Sequence, residues 1–385
     1  MNIVKFGDVV QEIKNNVDRN NNPYEFFVAG DHMDTEELYI KRRGTFKGSD
    51  VGPAFTRIFK PGQVLYGSRR TYLKKVAMAD FEGITANTTF ILESKDENKL
   101  LTRLLPFIMY SDKFTQYSIS KSKGSTNPYI LFKDLAAYEF NLPSLEEQKK
   151  LAETLWQIVS TMESYKKLLS KTDEMVKAKF VEMFGTIDNS KWMCRRLGEL
   201  CKISSGYAFK SDKFQNKGVP VLRIGNINSG ILKKDNLVFW PDDTSLSKYI
   251  LYPGDLAMSL TGTVGKDDYG NICILNDEYP KYYLNQRNAK FSDFDDKLNK
   301  LYLAYYFKLP LVKKTLTNSN HGVRQANILN KDLENILLPL PPITLQNEYV
   351  NFVTKSEESK SAIQASLDSL KQVYKKIITE NLGGK

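Results

Sequence analysis

The sequence predicts an α+β chain in which two similar mixed α/β domains are separated by two long antiparallel coiled-coil helices, related by a pseudo-two-fold internal repeat. Three observations predict it. Short motifs recur in the same order at a nearly constant offset, and two stretches free of proline and glycine carry heptad-spaced apolar residues. Between them, strand-like and helix-like segments follow no regular β-α alternation, which argues against a doubly wound sheet.

The repeat is read motif by motif. Residues 142–148 (LPSLEEQ) recur as 340–346 (LPPITLQ), an offset of 198 residues. The same 198 joins 132–135 (FKDL) to 330–333 (NKDL), and Gly124 to Gly322. PGQV at 61–64 matches PGDL at 253–256, offset 192, and FGDV at 6–9 matches LGEL at 197–200, offset 191. A slowly drifting offset is what loop insertions between diverged copies produce. The resulting division is a first domain at 1–141, a central spacer helix at 142–185, a second domain at 186–341 and a C-terminal spacer helix at 342–385.

In the domains, apolar runs flanked by turn residues predict strands at 63–66, 89–92, 219–224 and 271–275. Segments 101–109 and 301–307 predict short helices at matching places in the two copies. Ser144 and Glu147 form an S-x-x-E capping box that opens the central helix. Its stripe is Leu151, Leu155, Ile158, Met162, Tyr165, Leu169, Val176 and Met183, broken by Thr172 and Lys179. The C-terminal helix repeats the register with Tyr349, Val353, Ile363, Leu367, Leu370, Tyr374 and Ile377, broken by Ser356 and Lys360. Such stripes bury themselves against another helix. Because the second domain must leave the end of one helix and return to the start of the next, the two are expected to run antiparallel. Each would be roughly 60 Å long.

The chain has 385 residues, with 55 Lys+Arg against 45 Asp+Glu, a net charge of +10 and a pI near 9.1. That balance favours a polyanionic partner such as nucleic acid or an anionic membrane surface. The surplus lies in the two globular segments, while the helices are nearly neutral. Candidate DNA-binding residues of the first domain are Lys41, Arg42, Arg43, Arg69, Arg70, Lys74, Lys75, Lys121 and Lys123. Those of the second are Arg223, Lys233, Lys234, Lys266, Arg287, Arg324 and Gln325. Arginine can read guanine bidentately and glutamine adenine, while lysine mostly positions phosphate. Cys194, Cys201 and Cys273 form no CxxC, and His32 and His321 lie far from them in sequence, so neither a disulfide framework nor a zinc site is expected. No stretch is long and apolar enough for a membrane helix and the N-terminus does not read as a signal peptide, so the expected location is cytoplasmic.

Other signals carry less. Asn21-Asn22-Pro23-Tyr24 lacks the first proline of the N-P-P-Y loop that holds a flipped adenine, and Asn127-Pro128-Tyr129 shows how easily the triplet arises. Residues 262–267 (GTVGKD) lack the spacing of a phosphate loop and are read as a turn. Asp242-Asp243, Asp267-Asp268 and Asp295-Asp296 have no histidine or glycine frame and are read as solvated loops.

With its repeat, LPSLEEQ at 142–148 and the helix close FVEMFG at 180–185, the chain resembles the specificity subunit of Type I restriction-modification systems. The resemblance covers essentially the whole chain. It implies that each domain reads one half of a bipartite, asymmetric double-stranded DNA target. It further implies that the helices space the halves and hold two adenine-N6 methyltransferase subunits, with restriction subunits joining the assembly. No cofactor is implied for this chain: S-adenosylmethionine, ATP and Mg belong to the partners, and no catalytic residue is expected here. One departure is that Thr344-Leu345 stand where the first copy has Glu146-Glu147, which puts the equality of the two seats in doubt. Capping is the role expected of those glutamates. Two other readings compete, a divergent DNA adenine methyltransferase and a coiled-coil interaction scaffold. Binding of S-adenosylmethionine by the chain alone would favour the first. Indifference to DNA sequence, even with partners present, would favour the second.

Overall fold

A computed structural model describes residues 2–18, 21–47, 51–186, 191–318 and 325–382. Two compact units divide the chain, one made of Met1–Leu168 with Ala362–Lys385 and the other of Leu169–Ser361. Both breaks fall inside long helices.

In the first unit, strand Asn2–Lys5 pairs antiparallel with Glu139–Leu142 and so ties the start of the domain to the foot of the central helix. A four-stranded antiparallel sheet follows the order Val10–Glu12, Thr89–Ser94, Val64–Gly67, Val76–Met78. A second sheet has the order Gly44–Thr45, Phe26–Val28, Gly83–Ala86, Phe55–Phe59, with its central pair parallel. The second unit repeats this strand for strand. Cys194–Arg196 pairs with Leu337–Pro339, and one sheet runs Lys202–Ser205, Asn288–Ser292, Leu256–Ser259, Ile272–Ile274. The other runs Val238–Trp240, Val219–Leu222, Tyr282–Leu284, Ile250–Leu251, again with a parallel central pair. Helices Leu105–Tyr110, Asp112–Lys121 and Phe132–Ala136 correspond to Lys300–Phe307, Pro310–Asn318 and Asn330–Glu334.

The recurring motifs have local causes. Pro61-Gly62 and Pro253-Gly254 occupy the middle of type II turns, with Gly62 at φ 85° and Gly254 at φ 81°. The closing bonds run from Gln63 N–H to Lys60 O (3.2 Å) and from Asp255 N–H to Tyr252 O (3.0 Å). Gly7 and Gly198 serve close packing: a Cβ on Gly7 would lie 2.6 Å from Ala136 Cβ, and one on Gly198 would lie 2.9 Å from Glu334 Cβ. The FGDV and LGEL motifs therefore pack onto the helices that begin with FKDL and NKDL.

Two elements differ from expectation. The strand expected over 219–224 stops at Leu222, because Asn226 Oδ1 accepts the Arg223 N–H (3.0 Å) and turns the chain into the helical turn Ile224–Ile227. The helix expected from 101 begins at Leu105, after a 3-10 turn over Thr102–Leu104.

The long helices are Leu145–Phe184 and Ile343–Leu382, each of 40 residues. In the first unit, Leu151, Leu155, Val159 and Met162 share a core with Tyr374, Ile377, Ile378 and Leu382. In the second, Val176, Phe180, Met183 and Phe184 share one with Tyr349, Val350, Phe352 and Val353. In each unit the start of one helix lies against the end of the other, so the helices run antiparallel. Of the expected stripe, Leu155, Tyr349, Val353 and Leu367 are buried, while Leu151, Ile158, Met162, Tyr165, Leu169, Val176, Ile363, Leu370, Tyr374 and Ile377 are half-buried. Ala152, Val159, Phe180, Phe184, Val350, Ile378 and Leu382, outside the stripe, are buried too. The apolar face is wider than a heptad seam because a domain wall covers a second side of each helix end. Two of the breaks, Thr172 and Ser356, are themselves buried, and Lys360 Nζ pairs with Asp173 (2.6 Å).

Candidate nucleic-acid interface

Both units build a ribbon at the same place in the fold, closed at its base by matching bonds. In the first, the chain leaving Val64–Gly67 meets the segment that returns after Asp112–Lys121. Arg70 N–H donates to Pro128 O (2.7 Å), Ile130 N–H to Ser68 O (2.9 Å), and Lys123 and Tyr129 exchange bonds of 2.7 and 2.9 Å. This network holds Arg69, Arg70, Lys121 and Lys123 on one edge, beside Tyr72 and Tyr129, which are 52% and 41% exposed. Arg70 (φ 51°) and Lys74 (φ 46°) sit in the left-handed region, a strain that recurs at binding sites. Lys121 lies 5.8 Å from the Tyr117 ring, and Lys123 pairs with Asp134 (3.2 Å).

In the second unit, Thr261–Thr263 pairs with Gln325–Asn327. Ile328 N–H donates to Leu260 O (2.9 Å), the counterpart of the Ile130 bond. Gln325 is exposed at the end of this ribbon, and Lys266 is exposed on the turn that leaves its other strand. Arg287, also exposed, gives its carbonyl to Leu260 N–H (3.0 Å) at the ribbon's base. Asp268 holds the turn through Thr263 N–H (2.8 Å) and Thr263 Oγ1 (3.0 Å), and Asp267 pairs with Lys313. The 262–267 segment is thus a strand end and turn, as expected. Arg324, with residues 319–323, lies outside the described residues.

The remaining candidates, exposed Lys233 aside, are engaged within the chain. Lys41 contacts Glu37 (2.7 Å) and Glu163 (2.5 Å), and Lys166 of the central helix contacts the same two carboxylates at 2.9 and 2.5 Å. Burial opposes charge in this cluster, but the mutual hydrogen bonds outweigh it, so both lysines titrate above their ordinary range and Glu163 below its own. Arg42 pairs with Asp34 (2.5 Å), and the Arg43 guanidinium lies 3.8 Å from the Phe26 ring and 4.8 Å from that of Phe81. Lys74 binds Asp112 (3.0 Å), and Lys75 donates to the Gly30 carbonyl. Arg223 donates to Asn236 O, and Lys234, itself exposed, pairs with Glu278 (2.6 Å) beside exposed Lys233. The structure gathers Arg69, Arg70, Lys121 and Lys123 on one ribbon edge and Lys266, Arg287 and Gln325 around the other. It leaves Lys41, Arg42, Arg43 and Lys75 in structural contacts elsewhere.

The joints between domains and helices form a second repeated feature. Gln148, 1% exposed, accepts Leu101 N–H (2.9 Å) and donates to Lys99 O (2.8 Å) and Pro143 O (2.9 Å). Gln346, 0% exposed, accepts Asn299 N–H (2.9 Å) and donates to Lys297 O (2.8 Å) and Pro341 O (2.8 Å). All four positions of each set are related by the offset of 198. The motif glutamine is therefore a pin that fastens a helix start to its domain, a role its recurrence flagged but did not define. Glu147 Oε2 accepts from Ser144 N–H (2.8 Å) and Ser144 Oγ (2.7 Å), which makes it the cap expected of it.

Cys201 and Cys273 are buried, which pushes their thiols up to about 12 and about 11 and leaves them poor nucleophiles. Among the described residues no cluster of His, Cys, Asp and Glu could hold a metal ion, and no helix is long and apolar enough to cross a membrane.

The family model for the Type I restriction modification DNA specificity domain matches residues 1–172 and 189–372. The Type I restriction enzyme MjaVIII specificity subunit of Methanocaldococcus jannaschii is 28% identical over 326 residues, 79% of this chain and 74% of that one. Among solved structures, the Type I restriction-modification S subunit from M. genitalium superposes with a TM-score of 0.60 at 14% identity, covering 98% of this chain and 94% of the other. A chain solved in a study of the assembly and conformational transition of the type I R-M system gives a TM-score of 0.58 at 20% identity, covering 100% and 97%. These two likenesses bear on the fold.

Proposed function

The chain belongs to the Type I restriction-modification DNA specificity family, and from that premise we propose that each of its two ribbons reads one half of a bipartite, asymmetric duplex target. It is the specificity subunit of such a system, the component that recognises DNA and assembles with other subunits, and it is not the catalyst. The observation that carries the two-ribbon reading is a common ribbon base, closed by Ile130 N–H to Ser68 O and Ile328 N–H to Leu260 O, that carries different residues beyond it: left-handed Arg70 opens a 3-10 turn, whereas Gly262 stays in the strand Thr261–Thr263. Arg69 and Arg70 in the first unit stand where Thr261 and Gly262 stand in the second, and the ribbon strands are closed by matching hydrogen bonds. A common ribbon base would bring each edge to a major groove, while the different residues beyond it would select different bases.

The long helices would set the gap between half-sites and seat two methyltransferase subunits, to which restriction subunits add. S-adenosylmethionine, ATP and Mg would be bound by those partners, and the assembly would work in the cytoplasm. Replacing residues 1–141 by a different target domain, and mapping methylated adenines in a host that carries the partners, tests the reading. One half of the methylated sequence should change and the other persist. A change in both halves contradicts it, and S-adenosylmethionine binding by the purified chain alone would point to an enzyme instead.

A further inference from the structure

Building on the two-ribbon reading, we propose that the tip of each ribbon contacts the 5-methyl group of a thymine in its half-site, through Tyr72 in the first unit and Val264 in the second. The offset of 192 that joins strand Val64–Gly67 to Leu256–Ser259 also joins Thr71-Tyr72-Leu73-Lys74 to Thr263-Val264-Gly265-Lys266. Each set is a turn closed from its fourth residue to its first, Lys74 N–H to Thr71 O and Lys266 N–H to Thr263 O, both at 3.0 Å. Tyr72 and Val264 hold the same second position and are 52% and 42% exposed.

The two turns reach that placement by different backbone routes. The first is a 3-10 turn between left-handed Arg70 and Lys74, with Thr71 buried and Lys74 tied to Asp112. The second carries Gly265 at φ 80° and is held by Asp268, which accepts from Thr263 N–H and Thr263 Oγ1. An exposed apolar side chain at the tip is thus kept while the backbone around it changes. The return strand shows the contrast, since exposed Tyr129 corresponds by the offset of 198 to half-buried, polar Asn327. Apolar surface held out of the core on an anchored turn gains only by burial against apolar surface of a partner. Exposed Arg69 and Arg70 adjoin the first tip and exposed Lys266 the second, which turns both towards the duplex. Val264 has no hydrogen-bonding group on its side chain, so what the two tips share is apolar surface. The one apolar group that a base pair shows in the major groove is the thymine methyl.

The experiment measures the affinity of the chain, assembled with its methyltransferase partners, for the duplex target mapped from methylated adenines. Each thymine in turn is replaced by deoxyuridine, whose base lacks only the 5-methyl group. One such replacement in each half-site should weaken binding about fourfold, the worth of one buried methyl group. Tyr72→Ala should weaken the unsubstituted target by a similar factor and erase the deoxyuridine penalty in one half-site, and Val264→Ala should do so in the other. Tyr72→Phe should keep the penalty, because the ring makes the contact. A half-site with no deoxyuridine penalty, or a penalty that survives both alanine variants, would overturn the proposal. So would an equal loss on target and random duplex in those variants, the mark of a contact to the phosphate backbone. A wild-type assembly that holds random duplex as tightly as its target would instead remove the two-ribbon reading, and this contact with it.

Discussion

Gln148 is buried and its side-chain amide makes three hydrogen bonds, so Gln148→Leu keeps the volume and deletes all three. The change leaves the Leu101 amide and the carbonyls of Lys99 and Pro143 unpaired at a closed joint. Each stranded buried group costs about 1–3 kcal/mol, and partial rehydration brings the total to roughly 3–5 kcal/mol. For a unit of this size the midpoint of unfolding should drop by roughly 10 °C. Trp156 is the single tryptophan of the first unit, where its indole donates to Arg103 O (2.9 Å). In a chain with Trp192 and Trp240 changed to Phe, its fluorescence follows that unit's melting alone. Gln346→Leu should lower the second unit's transition by a similar amount and leave the Trp156 signal in place, because the two pins share no partner. A loss below about 1 kcal/mol for Gln148→Leu would refute the pin, since three bonds cannot vanish from a closed joint at so small a cost.

Arg69→Ala and Arg70→Ala should each relax one position of a single half-site by about 1–3 kcal/mol, read by methylation of a randomised target library. Lys121→Ala should weaken binding evenly across sequences and lower the slope of log affinity against log salt by about 1. Inserting four residues between Ser164 and Val176, roughly one helical turn, should change the gap between half-sites or abolish modification. Glu147, held below the usual carboxylate range by its Ser144 hydrogen bonds, gives a pH signature. Because its folded value is the lower one, the cap's contribution is present above the ordinary glutamate range and fades as pH falls through the folded value. Glu147→Gln should remove that component from a pH series of melting curves.

The repeat was legible because its motifs are structural necessities: a left-handed glycine after proline, a glycine under Ala136 or Glu334, a glutamine with three backbone partners. Each tolerates few replacements, so the letters survive divergence. The width of the helix faces was not legible, since Phe180 and Ile378 are buried by domain walls that no heptad count contains. Nor could charge sort the basic residues. Arg43 and Arg70 look alike in sequence, yet Arg43 lies against Phe26 and Phe81 while Arg70 stands exposed on the ribbon edge. The sorting depends on which carboxylates and rings arrive from elsewhere in the chain, as Glu163 does for Lys41.

Where the two copies agree and where they differ follows a physical division. The glutamine pins, which fix how each domain is held on a helix, are the same in both units, as are the proline-glycine turns and the parallel strand pair inside the domains. Arg69-Arg70 against Thr261-Gly262 differ on a ribbon whose base is closed by matching bonds, Ile130 N–H to Ser68 O and Ile328 N–H to Leu260 O. A reader of two unlike half-sites needs this combination, because geometry must be common for both heads to meet one duplex while side chains must differ to select different bases. A symmetric target would instead call for matched side chains at the two edges. The divergence of the edges above a common ribbon base therefore argues for asymmetry in the recognised sequence. Gln325→Ala, at the exposed end of the second ribbon, tests the step directly: the second half-site should relax at one position, and an unchanged preference would place its readout elsewhere on that unit.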